Sequence, residues 1–188
     1  TPKPPEPIPP PPPPQNMQSP APPPRGYAEG HPFSGDLSAG MITALARPSG
    51  AVGNATSLLV QATFGYAFDS GPRAPGEKPS ALNGLELRFD AGGGTVGPGS
   101  IFFDGGARYA LFVAQSPRLY LGPEAKIGAF VPFAGDKKVR FLGRAGAFIG
   151  FEITPEFSLE IASNVSVAPG GSGTLLFLDA ALGAFYRF

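Results

Sequence analysis

From Leu37 onward, hydrophobic and polar positions alternate with a period of two, the signature of strands with one greasy and one polar face. The clearest segment runs Phe157, Leu159, Ile161, Ser163, Val165, Val167 against Ser158, Glu160, Ala162, Asn164, Ser166. Val60 to Asp69 sets Val60, Ala62, Phe64, Tyr66 and Phe68 against Gln61, Thr63, Gly65, Ala67 and Asp69. Asn83 to Ala91 sets Leu85, Leu87 and Phe89 against Glu86, Arg88 and Asp90. Four more segments repeat the pattern over Ile101–Val113, Leu119–Val131, Val139–Phe151 and Leu176–Phe188, and a weaker one spans Leu37–Leu45. Turn chemistry separates them at Arg47-Pro48-Ser49-Gly50, Gly71 to Gly76, Gly92-Gly93-Gly94, Gln115-Ser116-Pro117, Ala134-Gly135-Asp136, Thr154-Pro155-Glu156 and Pro169-Gly170-Gly171. No helical period interrupts the series. Eight strands with short connections predict an antiparallel up-and-down meander.

The two phases differ in charge. Across all eight segments the apolar phase carries no charged residue. The opposite phase holds Asp69, Glu86, Arg88, Asp90, Asp104, Arg108, Glu124, Lys126, Arg140, Arg144, Glu160, Asp179 and Arg187. In a small soluble barrel the apolar phase points inward. Here that phase includes runs such as Phe64, Tyr66 and Phe68, too bulky for an eight-strand interior that side chains just fill. The other phase mixes Gly and Ala with long ionic side chains, which suits a narrow salt-bridged hollow. Several segments also run to 11–13 residues, beyond the soluble average of about five or six and matching a tilted bilayer crossing of about 9–11. Lipid cannot satisfy a free sheet edge, so the sheet must close. The expectation is an all-β, eight-stranded transmembrane β-barrel, apolar side out. Pro123 falls inside a predicted strand and predicts a bulge or break there. Phe68, Phe151, Phe157, Tyr186 and Phe188 are expected near one rim, Phe103 and Phe141 near the other.

The last seven residues, Leu182-Gly183-Ala184-Phe185-Tyr186-Arg187-Phe188, resemble the terminal strand of small bacterial outer-membrane β-barrels of the OmpA and OmpX type. The resemblance covers residues 33–188. It implies that Leu182, Tyr186 and Phe188 form a signal read by the barrel-assembly machinery. It also implies export with signal-peptide cleavage, residence in the bacterial outer membrane and an N-terminal tail in the periplasm.

Composition adds three constraints. Fourteen of the 25 prolines lie in the first 24 residues, so residues 1–32 are expected to be a disordered Pro-rich tail or linker. As polyproline II, the first 24 would extend roughly 70 Å. Such a segment is a tether, a ligand for partners that read proline-rich strands, or an inert spacer. Thr1 is followed by prolines rather than a basic start and an apolar run, and no stretch reads as a membrane helix. Zero formal net charge removes the footprint of a nucleic-acid binder. Absence of Cys and a single His, His31 beside the Pro-rich stretch, leave no thiolate chemistry and no His-based catalytic or metal site. The expectation is therefore no enzyme and no cofactor. Gly92-Gly93-Gly94 lacks the helix and Lys of a phosphate cradle. Asn54-Ala55-Thr56 and Asn164-Val165-Ser166 match a glycosylation pattern that a bacterial assignment makes coincidental.

The candidate site is the inner ionic set: Glu86, Arg88, Asp104, Arg108, Glu124, Lys126, Arg140, Arg144, Glu160 and Asp179. Two uses stay open, a plug of mutually neutralising pairs and a narrow pore for ions or small solutes. The partners this implies are outer-membrane lipid, the assembly machinery, and envelope-complex proteins reached through the tail. A structural anchor of an envelope assembly is the leading reading. A soluble lipocalin-like ligand-binding barrel is the remaining alternative.

Overall fold

A computed structural model describes residues 26–46, 56–71, 77, 80–94, 99–115, 118–133, 138–170 and 173–188. Nine strand segments follow one another: β1 (Phe33–Ala46), β2 (Thr56–Ala67), β3 (Leu85–Gly94), β4 (Ser100–Tyr109), β5 (Leu111–Gln115), β6 (Arg118–Pro132), β7 (Arg140–Glu152), β8 (Phe157–Ala168) and β9 (Leu175–Arg187). Each pairs antiparallel with its neighbours, and β1 pairs with β9, from Ser34↔Arg187 to Ala46↔Leu176. β4 and β5 both lie on β6, so together they form one interrupted stave. The result is a closed eight-stranded barrel. No helix occurs among the described residues. A twelve-residue strand tilted about 45° rises about 28 Å, close to the thickness of a hydrocarbon core.

The alternation is realised apolar side out. Along β2, exposure strictly alternates: Leu58, Val60, Phe64 and Tyr66 face outward, and Leu59, Gln61, Thr63 and Ala67 are buried. Leu182 is 56% exposed and Phe89 61%, whereas Arg108 is 2% and Glu160 5%. The soluble lipocalin-like alternative fails here, because its greasy side chains would have to fill the hollow. An outer surface this apolar over strands this long is that of a transmembrane barrel.

Three local expectations change. Gly92-Gly93-Gly94 is strand, not turn: Gly92 pairs with Gln61 and Phe102 at the end of β3. A Cβ there would strike the Phe102 ring, so the glycine makes room for an inward aromatic. Asp69 lies beyond β2 in a turn with φ of 52°, where it accepts hydrogen bonds from the backbone and hydroxyl of Ser80. Pro123 does not break its own strand and stays paired with Ala147. The interruption is across the ladder, at Ala110, whose backbone N–H donates to the Gly84 carbonyl (2.8 Å) one step beyond the Leu85↔Tyr109 pair. Proline lacks a donor, and the facing stave supplies the gap. The turns at 47–50 and 134–136, and the tail up to residue 25, lie outside the described residues.

The described N-terminal turn and Phe188 share one mouth, the terminal mouth; the other is distal. Outward rings gather at the terminal rim beside the closing seam. Phe33 stacks on Phe64 (6.0 Å) and Phe188 (6.3 Å), with Tyr66 and Tyr186 adjoining. Phe103 and Phe141 lie toward the distal rim, both outward.

Candidate functional site: the ionic lumen

Inward positions stack into layers along the barrel axis. Nearest the distal mouth is an apolar layer of Ile42, Leu59, Phe102, Phe130, Leu142, Ala168 and Phe177, all nearly inaccessible. Next comes an ionic layer. Asp90 and Asp104 sit directly opposite one another on β3 and β4, an arrangement that repels unless countered. Two cations from the following staves, β6 and β7, counter it. Lys126 Nζ lies 2.6 Å from Asp90 and 3.2 Å from Glu124. Arg144 bridges Asp104 (2.8 Å) and Asp179 (3.1 Å) with its plane over Phe102. Asn164 and Ser166 complete the shell of Asp179, donating at 3.2 and 3.1 Å.

Toward the terminal mouth, Arg108 is the hub. Its Nε donates to Glu86 (2.9 Å), and its two terminal nitrogens reach Glu160 and the Tyr27 hydroxyl (2.7 Å). Phe148 and Phe185 flank its guanidinium at 4.4 and 4.8 Å. Glu86 also accepts from Tyr27 and Ser34, each at 2.7 Å. Arg88 joins Asp36 (3.2 Å) to Glu160 (3.5 Å). The Tyr120 hydroxyl contacts Glu160 and sits 2.9 Å from Ser158. Arg140 lies toward the distal mouth and donates to the Gly173 carbonyl at 3.3 Å.

Thus the lumen brings together nine of the ten expected ionic residues in connected pairs. Sequence reasoning did not anticipate Asp36, Asp90, Gln61, Asn164, Tyr120 or Tyr27 as members. Asp90 and Asn164 carried the inward phase and so were findable. Asp36 lies just ahead of the weakest alternating segment, Leu37–Leu45. Tyr27 lies outside every alternating segment, in residues assigned to the tail. Its ring packs on Tyr120 (centroids 5.7 Å) under the Arg187 guanidinium. Burial pushes its phenol pKa up, which keeps the hydroxyl a donor to Glu86. His31 stands 3.7 Å from Glu156 at the terminal rim.

Chemically, this set is matched charge to charge, as buried charges require. One oxygen each of Asp36, Asp104 and Glu124 and the Nε of Arg88 have no hydrogen-bond partner among the described residues. Two cavities between the layers have volumes of about 10 and 20 Å³, the larger with room for about one water. Among the described residues, no group of three or more His, Cys, Asp or Glu is arranged to hold a metal ion.

No protein-family model matches the chain, and no curated protein matches it in sequence. Solved structures do resemble it in shape. Neisserial surface protein A superposes with a TM-score of 0.57 at 17% identity, covering 83% of this chain and 97% of that one. A designed transmembrane β-barrel gives 0.45 at 17% identity, covering 85% and 99%. The attachment invasion locus protein Ail of Yersinia pestis gives 0.43 at 14% identity, covering 87% and 99%. With its closed eight-stave meander, apolar exterior and ionic interior, the chain has the fold of the small outer-membrane β-barrels.

Proposed function

We propose that the protein is a non-catalytic integral barrel of the bacterial outer membrane, a closed structural anchor or subunit of a cell-envelope assembly. The Pro-rich N-terminal segment is its tether on the periplasmic side. The observation that carries this reading is the filled lumen: the apolar layer, the two ionic groups and the packed rings of Tyr27, Phe112, Tyr120 and Phe148 occupy the hollow among the described residues. A barrel packed this way offers its rim and its tail, not its interior. The network of Glu86, Arg88, Asp104, Arg108, Glu124, Lys126, Arg144, Glu160 and Asp179 acts as the plug, and Arg140 closes toward the distal mouth. Leu182, Tyr186 and Phe188, all outward on β9 or just past it, are the assembly signal.

Planar-bilayer recording of the full chain tests the closed state. The expected trace is flat, and a steady open-state current would replace the plug with the narrow-pore reading. Affinity purification from detergent-solubilised membranes, with and without residues 1–25, tests the tether. Envelope proteins recovered with the full chain should be lost on deletion, and unchanged recovery would reduce the segment to a spacer.

A further inference from the structure

Residues 26–32 join the proline-rich stretch to β1 and belong to no strand, yet they reach into the lumen. The chain turns at Tyr27–Gly30 with Ala28 at φ 52° and Gly30 at φ 82°. A non-glycine residue holds that conformation only where its surroundings impose it. The turn drives Tyr27 inward to 1% exposure. Its hydroxyl donates to Glu86 and accepts from Arg108, and its ring contacts Phe112 and Tyr120. The segment is tied to the wall at separate points: Arg118 donates to the Gly26 carbonyl (3.2 Å), Tyr27 N–H donates to Asn83 (3.3 Å), Gly30 N–H donates to the Ser70 carbonyl (2.6 Å), Ala67 N–H donates to the Pro32 carbonyl (2.7 Å), and His31 lies 3.7 Å from Glu156.

We propose that residues 26–32 are a releasable latch. Load on the proline-rich segment is borne by Tyr27 seated in the lumen, and its release opens the terminal half of the hollow to water without unzipping the barrel. The proposal rests on the tether reading, because the load enters through residues 1–25. Three features make the latch separable from the wall. Tyr27 is neutral, so its exit takes no charge from the network, and Arg108 keeps Glu86 and Glu160 as partners. The closing seam between β1 and β9 begins at Phe33, which exchanges backbone hydrogen bonds with Phe188, just past residues 26–32. The apolar layer of Ile42, Leu59, Phe102, Phe130, Leu142 and Phe177 still seals the distal mouth, so release makes a wet vestibule, not a channel. A proline-rich composition is that of a semi-rigid spacer, suited to pass extension to the turn, and the fitting partner is a domain that reads proline-rich sequence.

The test is single-molecule extension of the full chain in a bilayer, pulled by a handle ahead of Thr1. The expected first event is a rupture releasing roughly 20 Å of contour before any strand is extracted. Tyr27→Ala should abolish that event, and Tyr27→Phe, which loses only the hydroxyl, should lower its force. Strand extraction as the first event, or a rupture unchanged in both variants, overturns the latch. The sequence has no Cys, so Ser158→Cys places a single thiol beside Tyr120, 0% exposed in the native chain. In nanodiscs, combining it with Tyr27→Ala should raise labelling by an impermeant maleimide at least about tenfold. Ser166→Cys, in the distal half, should not respond. Equal labelling at Ser158→Cys with Tyr27 present or replaced also overturns the proposal. None of these readouts needs a partner, so a failed latch and a failed tether are distinguishable.

Discussion

Arg108 shows how much the interior depends on single side chains. It serves two carboxylates and a phenol from a fully buried position. Arg108→Ala leaves Glu86 and Glu160 short of their main counter-charge, so the expected destabilisation is about 3–5 kcal/mol, read from urea unfolding in lipid vesicles. Adding Glu160→Gln should recover part of the loss, because one uncompensated carboxylate disappears. That these residues point inward is legible from the sequence, since a period-two pattern has only two phases and all charge falls in one. Who pairs with whom is not legible. Arg144 finds Asp104 and Asp179 from opposite sides of the hollow, and such partners depend on the stagger of strands around the closed wall.

Elements carry their own constraints. Inward glycines are the counterparts of the large inward side chains. The Tyr120 ring lies against Gly150, its register partner on β7. A methyl group there meets the ring directly. Gly150→Ala should push Tyr120 off Ser158 and Glu160 and cost about 1–3 kcal/mol by overpacking, with altered near-ultraviolet circular dichroism as the check. All eight predicted segments emerge as staves, because alternation survives whatever the neighbours do. The exceptions are informative. The Gly92-Gly93-Gly94 run looked like a turn because glycine is usually read through backbone freedom, whereas here Gly92 is needed for the space Phe102 occupies. Pro123 announced a fault in its own strand, and the fault appears in the facing one.

For the whole molecule, the two faces of the wall answer opposite rules. Leu182 lies outward, paired with Ala39 and Ile161 near mid-height. Leu182→Arg should cost about 2–4 kcal/mol in bilayer refolding titrations, the depth-dependent penalty for a cation on a lipid-facing strand. The mouth turn was illegible for a physical reason: one tyrosine among Gly, Ala and Glu has no periodic context, and only the completed cavity gives it a place to go. The β1–β9 seam has a kinetic consequence. Its paired residues lie from 130 (Ala46 and Leu176) to 153 (Ser34 and Arg187) positions apart in sequence, and the contact that joins them is the one that closes the ring. Every earlier intermediate is an open, curled ribbon with exposed backbone donors at each side. Assembly should therefore be slow and all-or-nothing at its final step, and a ribosome product halted before β9 should behave as an aggregation-prone sheet rather than a smaller barrel.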